Sequence, residues 1–233
     1  MRPWRYGDGP RAALSELVPP AELDAARARI GDTLRVTPVL EAASLTSRFG
    51  RPIRLKAENL QRTGSFKPRG ALSVLTALDP DVTDVVAASA GNHAQGVALA
   101  ATRTGRRAVV YMPTTASLPK VQATRDYGAE VVLVGETVDD AIEAARTAVE
   151  DGGARFVSPF DDPLVIAGPG TLGLELGDQV DGPATVLVPV GGGGLLAGVA
   201  TALRARGGPW RVIGVEAAGA ASMIRSLQVG RPV

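Results

Sequence analysis

Short runs of β-branched and other apolar residues alternate with stretches of helical periodicity along most of the chain, and this alternation limits the folds open to it more than any other feature. The strand-like runs fall at 53–57, 85–89, 108–112, 130–134, 184–188 and 212–215. Between them, apolar residues recur at helical spacing at about 67–78, 93–104, 117–127, 137–150, 195–206 and 219–228. Such an order predicts an α/β fold of parallel sheets with helices on both faces. Ahead of it, residues 20–30 put Leu23, Ala26 and Ile30 at helical spacing, with Pro20 suited to a first turn and Gly31 ending the helix. Breakers cluster at Asp151-Gly152-Gly153 and Ser158-Pro159, where a subdivision is expected. At 233 residues there is room for one large or two small α/β units.

Composition then narrows the chemistry. With 25 Lys and Arg against 24 Asp and Glu, the net charge of +1 lacks the electrostatic footprint of a protein that binds nucleic acid or anionic membranes. No run approaches the roughly 18 apolar residues of a membrane span. The start, Met1-Arg2-Pro3-Trp4-Arg5-Tyr6, leads into no apolar signal core, so a cytoplasmic enzyme is expected. The absence of cysteine removes disulfides, thiolate metal sites and cysteine nucleophiles together. His93 is the sole histidine, so histidine-rich metal centres are excluded and any Ser-His-Asp triad would have to use it. Lysine chemistry has three candidates, Lys56, Lys67 and Lys120.

Three constellations sit where a strand-like run gives way to a helix. In Thr63-Gly64-Ser65-Phe66-Lys67-Pro68-Arg69-Gly70, Lys67 stands at a helix start, where the helix dipole disfavours the ammonium form and favours an amine able to act as nucleophile or base. The same pattern also describes a solvated lysine on a first turn. Ser89-Ala90-Gly91-Asn92-His93-Ala94-Gln95-Gly96 lies at the carboxyl end of a strand, where open α/β sheets bind ligands, and it also describes an ordinary capped turn. Gly191, Gly192, Gly193 and Gly194 follow a strand and open a helix, so their N–H groups can close on a phosphate. No Gly-Lys-Ser/Thr follows, as a Walker loop would need, and the spacing fails the dinucleotide fingerprint. A structural glycine turn is the competing reading. One lysine open to activation, one polar turn and one phosphate cradle together suit a cofactor with an aldehyde and a phosphate, which describes pyridoxal 5′-phosphate.

At these residues the sequence resembles the fold-type II pyridoxal-phosphate enzymes, and within them the threonine/serine dehydratase branch. The resemblance runs from about Ile30 to the end and includes 58–67, 89–96, Phe160-Asp161-Asp162-Pro163 and 188–198. It implies two open α/β domains with the cofactor between them: a large one from 1–83 and 157–233, and a small one from 84–156. It implies that Lys67 binds the cofactor covalently, that Phe66 packs on its ring, that Asn92 bonds the ring oxygen, and that Gly191, Gly192, Gly193 and Gly194 hold the phosphate. Ser89, Gly91, Asn92 and the His93 backbone would take the substrate carboxylate. The implied reaction is β-elimination of L-threonine or L-serine to a 2-oxo acid and ammonia, in a homo-oligomer.

Departures from the pattern separate the alternatives. Cysteine and threonine synthases usually carry an acid soon after the lysine and a Gly-Asn-Thr turn, where this chain has Lys67-Pro68-Arg69 and Gly91-Asn92-His93. Serine racemases place a serine at Ala90, and without that second proton-transfer group elimination is favoured. Pro169 stands where a glutamine is common. Relatives that bind a divalent cation use an acid matching Glu216, a carbonyl matching Ala220, and an acid where this chain has Ser222. The family continues past the segment matching 226–233, so the large domain is expected to be incomplete within these residues. A racemase, a β-replacement enzyme and a catalytically silent cofactor-binding piece remain the competing readings.

Overall fold

The computed structural model describes residues 18–150, 153–231 and 233. The leader at the start of the chain, and Asp151 and Gly152 of the breaker cluster, lie outside them. Helix α1 (Pro20–Ile30) begins on its proline and buries Leu23, Ala26 and Ile30, the face its spacing marks out. Strands β1 (Val39–Glu41) and β2 (Arg54–Lys56) flank α2 (Ala43–Phe49) and pair antiparallel, Leu40 opposite Leu55. An exclusively parallel arrangement is therefore corrected here: α2 is too short to carry the chain through a crossover, so β2 returns alongside β1 in the opposite sense.

Helix α3 (Lys67–Leu75) leads into a four-stranded parallel sheet of order β5-β4-β3-β6. Its strands are β3 (Asp84–Ala88), β4 (Arg107–Met112), β5 (Glu130–Leu133) and β6 (Ala154–Phe156). Val85, Val86, Ala87 and Ala88 are all buried, as a central strand covered on both faces requires. The connecting helices are α4 (Asn92–Thr104), α5 (Leu118–Asp126) and α6 (Val138–Thr147). Gly105 ends α4 in the left-handed region, and Thr137 with Asp140 forms a capping box at the start of α6.

Helix α7 (Pro163–Gln179) is the longest element described, and its glycines and proline hide it from a periodicity reading. Asp162 caps it, its carboxylate accepting from the N–H groups of Leu164 and Val165. Strand β7 (Ala184–Pro189), helix α8 (Gly194–Arg206) and strand β8 (Trp210–Val215) follow, with β7 and β8 parallel, and α9 (Ser222–Val229) closes the fold. Helix α7 packs against α8, α3 and α1. It does so closely, because a Cβ on Gly168, Gly170 or Gly173 would run into Arg69, Leu23 or Ala202 respectively. No described helix is long and apolar enough to cross a membrane.

Candidate functional site

Lys67 is the first residue of α3, with Pro68 in the first turn, where a missing N–H costs nothing. Backbone holds that turn on two sides. A Cβ on Gly96 of α4 would sit 3.0 Å from the Lys67 carbonyl carbon, and one on Gly168 of α7 would strike the Arg69 carbonyl. A Cβ on Gly70 would lie 2.9 Å from the Val165 carbonyl oxygen, which receives no helical N–H because the residue four positions on is Pro169. The Lys67 Nζ donates to the Pro159 carbonyl at 2.7 Å. Burial pushes its pKa down, favouring the neutral amine. The direction matches the sequence expectation, and its cause here is loss of solvent.

The glycine run turns the chain from β7 into α8, with Gly193 in the left-handed region at φ 88°. Among the described residues, none accepts a hydrogen bond from the N–H groups of Gly191, Gly192, Gly193 or Gly194. The walls around the run are tight. A Cβ on Gly192 would enter the Phe160 ring, one on Gly193 would come 2.7 Å from the Met223 methyl, and one on Gly194 would lie 3.0 Å from the Phe160 carbonyl oxygen.

Lys67 and the glycine run face the same cavity of about 320 Å³, whose walls include Phe66, His93, Pro159, Phe160 and Pro169. The His93 Nε2 lies 3.0 Å from the Val157 carbonyl, so Nε2 carries the proton and Nδ1 a free lone pair. Burial first, and the Lys67 charge second, lower the His93 pKa to about 4, so the ring is neutral.

Other residues singled out in the sequence do not line the cavity, although the turn at 89–92 leads directly into His93, which does. Ser89, Gly91 and Asn92 are not among the residues lining the cavity. They form the turn from β3 into α4, where the Ser89 Oγ accepts from the Gly91 N–H at 3.2 Å and Asn92 is exposed. Glu216 spends its carboxylate on the N–H groups of Met223 and Ile224, at 2.8 Å each, and Ala220 ends a 3₁₀ turn. Among the described residues, no three His, Cys, Asp or Glu side chains gather as a metal site would need.

Sequence reasoning missed a buried charged cluster behind Lys67. Arg69, 1% exposed, forks to Glu58 and Glu175, and the Lys56 Nζ donates to Glu175. The readable signal was Glu175, a lone acid within the apolar stretch Gly173-Leu174-Glu175-Leu176.

A buried amine with a lowered pKa and a set of N–H groups without protein acceptors, facing one cavity, fit an aldehyde and a phosphate. Residues 30–233 match the pyridoxal-phosphate dependent enzyme family. The chain belongs to that family. Its α/β arrangement is that of the fold-type II members. The chain is 50% identical over 207 residues to an L-threonine ammonia-lyase of Geobacter sulfurreducens, a match covering 88% of this chain and 52% of that one. It is 46% identical over 212 residues to an L-threonine ammonia-lyase of Thermotoga maritima, covering 90% and 53%. Among solved structures, the processed form of threonine deaminase isoform 2 from Solanum lycopersicum superposes with a TM-score of 0.89 at 41% identity, covering 97% of this chain and 65% of that one. The chain spans about half the length of the two curated ammonia-lyases.

Proposed function

We propose that the chain carries the cofactor-bearing core of an enzyme that converts L-threonine, L-serine or both to a 2-oxo acid and ammonia. The observation that carries this reading is the buried Lys67 amine, its pKa lowered by loss of solvent, facing the acceptor-free glycine N–H groups across one cavity, in a chain half identical to an L-threonine ammonia-lyase. Bound pyridoxal phosphate supplies an electron sink for the charge left on the substrate Cα. Lys67 holds the cofactor through its Nζ, Phe66 lies against its ring, Asn92 bonds its ring oxygen, and Gly191, Gly192, Gly193 and Gly194 donate to its phosphate.

Once released by the incoming amino acid, the Lys67 amine takes the proton from Cα, a role that its lowered pKa favours. The substrate carboxylate sits at the start of α4, where Ser89, Gly91, Asn92 and the His93 backbone present a helix N-terminus. Ala90 offers no group to return a proton from the opposite face, which favours loss of the β-hydroxyl over racemisation. In this reading 84–156 is the small domain, 1–83 and 157–233 belong to the large one, and the enzyme acts as a cytoplasmic homo-oligomer.

The test is to mix the chain with pyridoxal phosphate, record its visible absorption, and assay 2-oxo acid from threonine and from serine. A cofactor band and turnover that both disappear in Lys67→Ala support the reading. Turnover that survives Lys67→Ala overturns it, and D-serine as the main product from L-serine replaces elimination with racemisation.

A further inference from the structure

We propose that Arg69 is a positioning residue for Lys67, fixing the roll of α3 so that the Lys67 amine is held toward the cavity. Residues two apart on a helix project about 200° apart around its axis. Lys67 and Arg69 therefore leave α3 on nearly opposite sides, and whatever fixes the azimuth of one fixes that of the other. Lys67 projects into the cavity, and Arg69 projects into the seam between α7 and the 3₁₀ turn Glu58–Leu60.

The arginine is held there by every donor it has. Its Nε and Nη2 reach the two oxygens of Glu58, each at 2.9 Å; Nη1 donates to Thr171 Oγ1 at 3.0 Å and to Glu175 Oε1 at 2.6 Å; and Nη2 also donates to Glu175 Oε2 at 3.0 Å. A guanidinium has five N–H groups, and this geometry uses them all. The carboxylates are themselves anchored, Glu58 by the Thr37 hydroxyl and Glu175 by the Lys56 Nζ, which also donates to the Thr37 carbonyl at 2.6 Å and to Gln179 at 2.9 Å. Two cations and two anions thus form a closed, neutral cluster spanning β2, the 3₁₀ turn, α3 and α7.

A cluster built only for cohesion gains little from such chemistry, because packed apolar side chains of similar volume often do as well. A planar fork gripped on two edges supplies what apolar packing lacks, a fixed angle. That angle matters at α3 because Gly96 and Gly168 bring backbone against the turn, so that a rotation there meets main chain.

The proposal rests on the reading of Lys67 as the cofactor-binding amine, and the experiment separates the two. The chain has three lysines, so trace acetylation read by peptide mass spectrometry reports Lys56, Lys67 and Lys120 individually. Its pH dependence gives a midpoint for each amine. His93, the other titratable side chain among the residues lining the cavity, is neutral over the range used. In Arg69→Lys the charge is kept and the fork is lost. The midpoint of Lys67 should move up toward that of Lys120, and the dissociation constant for pyridoxal phosphate, followed by absorbance, should weaken at least tenfold. Val110→Ala, a cavity in the core of β4, serves as the control for lost stability alone and should leave both readings where they are.

A lowered unfolding temperature in Arg69→Lys with an unchanged Lys67 midpoint and unchanged cofactor affinity overturns the proposal. Where Arg69→Lys does not fold, Glu58→Gln, which leaves the Glu175 and Thr171 contacts in place, decides by the same two readings: a shift in both supports positioning, and no shift overturns it. Failure of the parent chain to bind pyridoxal phosphate through Lys67 removes the cofactor reading instead, and the acetylation midpoints then judge Arg69 on their own.

Discussion

His93 carries a single proton whose place in the structure fixes a pH dependence. The folded imidazole resists protonation down to about 4, whereas an unfolded one takes its proton near 6.5. Between those values the unfolded state holds the additional proton, so stability falls as the pH drops through the window and is regained above it. The full loss is on the order of 3 kcal/mol. Asp84, Asp140 and Asp178, all held below their usual 3.8, titrate beneath the window. Urea unfolding across that range should therefore show a steeper decline for the parent chain than for His93→Gln; parallel curves would mean that the ring is not buried neutral. The glycine run makes a second prediction at the same scale. Gly193→Val forces a β-branched side chain to φ 88° and against Met223, so the affinity for pyridoxal phosphate should fall at least tenfold, while Ala197→Ser in the following helix keeps it. Equal affinities would reduce the run to a structural turn. The glycine run was legible in the sequence because a strand-to-helix turn announces itself locally, and Lys67 because Gly64, Ser65 and Pro68 mark a helix start, although two 3₁₀ turns rather than a strand lead into it. Arg69 was not, because its partners Glu58 and Glu175 stand 11 and 106 positions away and only folding brings them together.

Most elements were legible because their apolar period and their breakers agree, as in α4, which runs to Thr104 and stops at Gly105. Helix α7 escaped notice because the residues that weaken a helix in isolation are those that let this one pack. Gly168, Gly170 and Gly173 lower helical propensity by about 1 kcal/mol each, and Pro169 removes a backbone bond, yet each glycine opens a close approach to a neighbouring element. Local preference was overruled by contacts distant in sequence. Gly168→Ala should consequently destabilise the chain by about 3 kcal/mol or more, because its Cβ meets backbone that cannot move aside. Gly177→Ala in the same helix meets only the side chain of Arg206, which can swing away, so urea unfolding should place it near the parent or up to about 1 kcal/mol above it. Equal losses at the two positions would contradict a helix held by backbone contact at one end and by side chains at the other.

For the whole molecule, pairing between strands was the least legible feature, since β1 is only three residues long and no sequence period reveals that β2 turns back on it. The sheet of β7 and β8 buries one face on α7 and α8 through Val186, Val188 and Val212, and leaves Leu187 and Val215 65% and 50% exposed on the other. Exposed apolar area of this kind attracts environment-sensitive dyes. Leu187→Thr combined with Val215→Thr should lower dye fluorescence without lowering the unfolding temperature, because those side chains are already wet; a large fall in stability would show that the face is covered in solution. The glycine joints around Lys67 have a mechanical consequence as well. Hydrostatic pressure unfolds proteins by eliminating internal voids. Where α3 meets α4 and α7 backbone to backbone, there is almost no free volume to give up. Compression should therefore loosen the side-chain-filled layers first, and the backbone joint that carries the lysine should hold until the rest of the molecule has yielded.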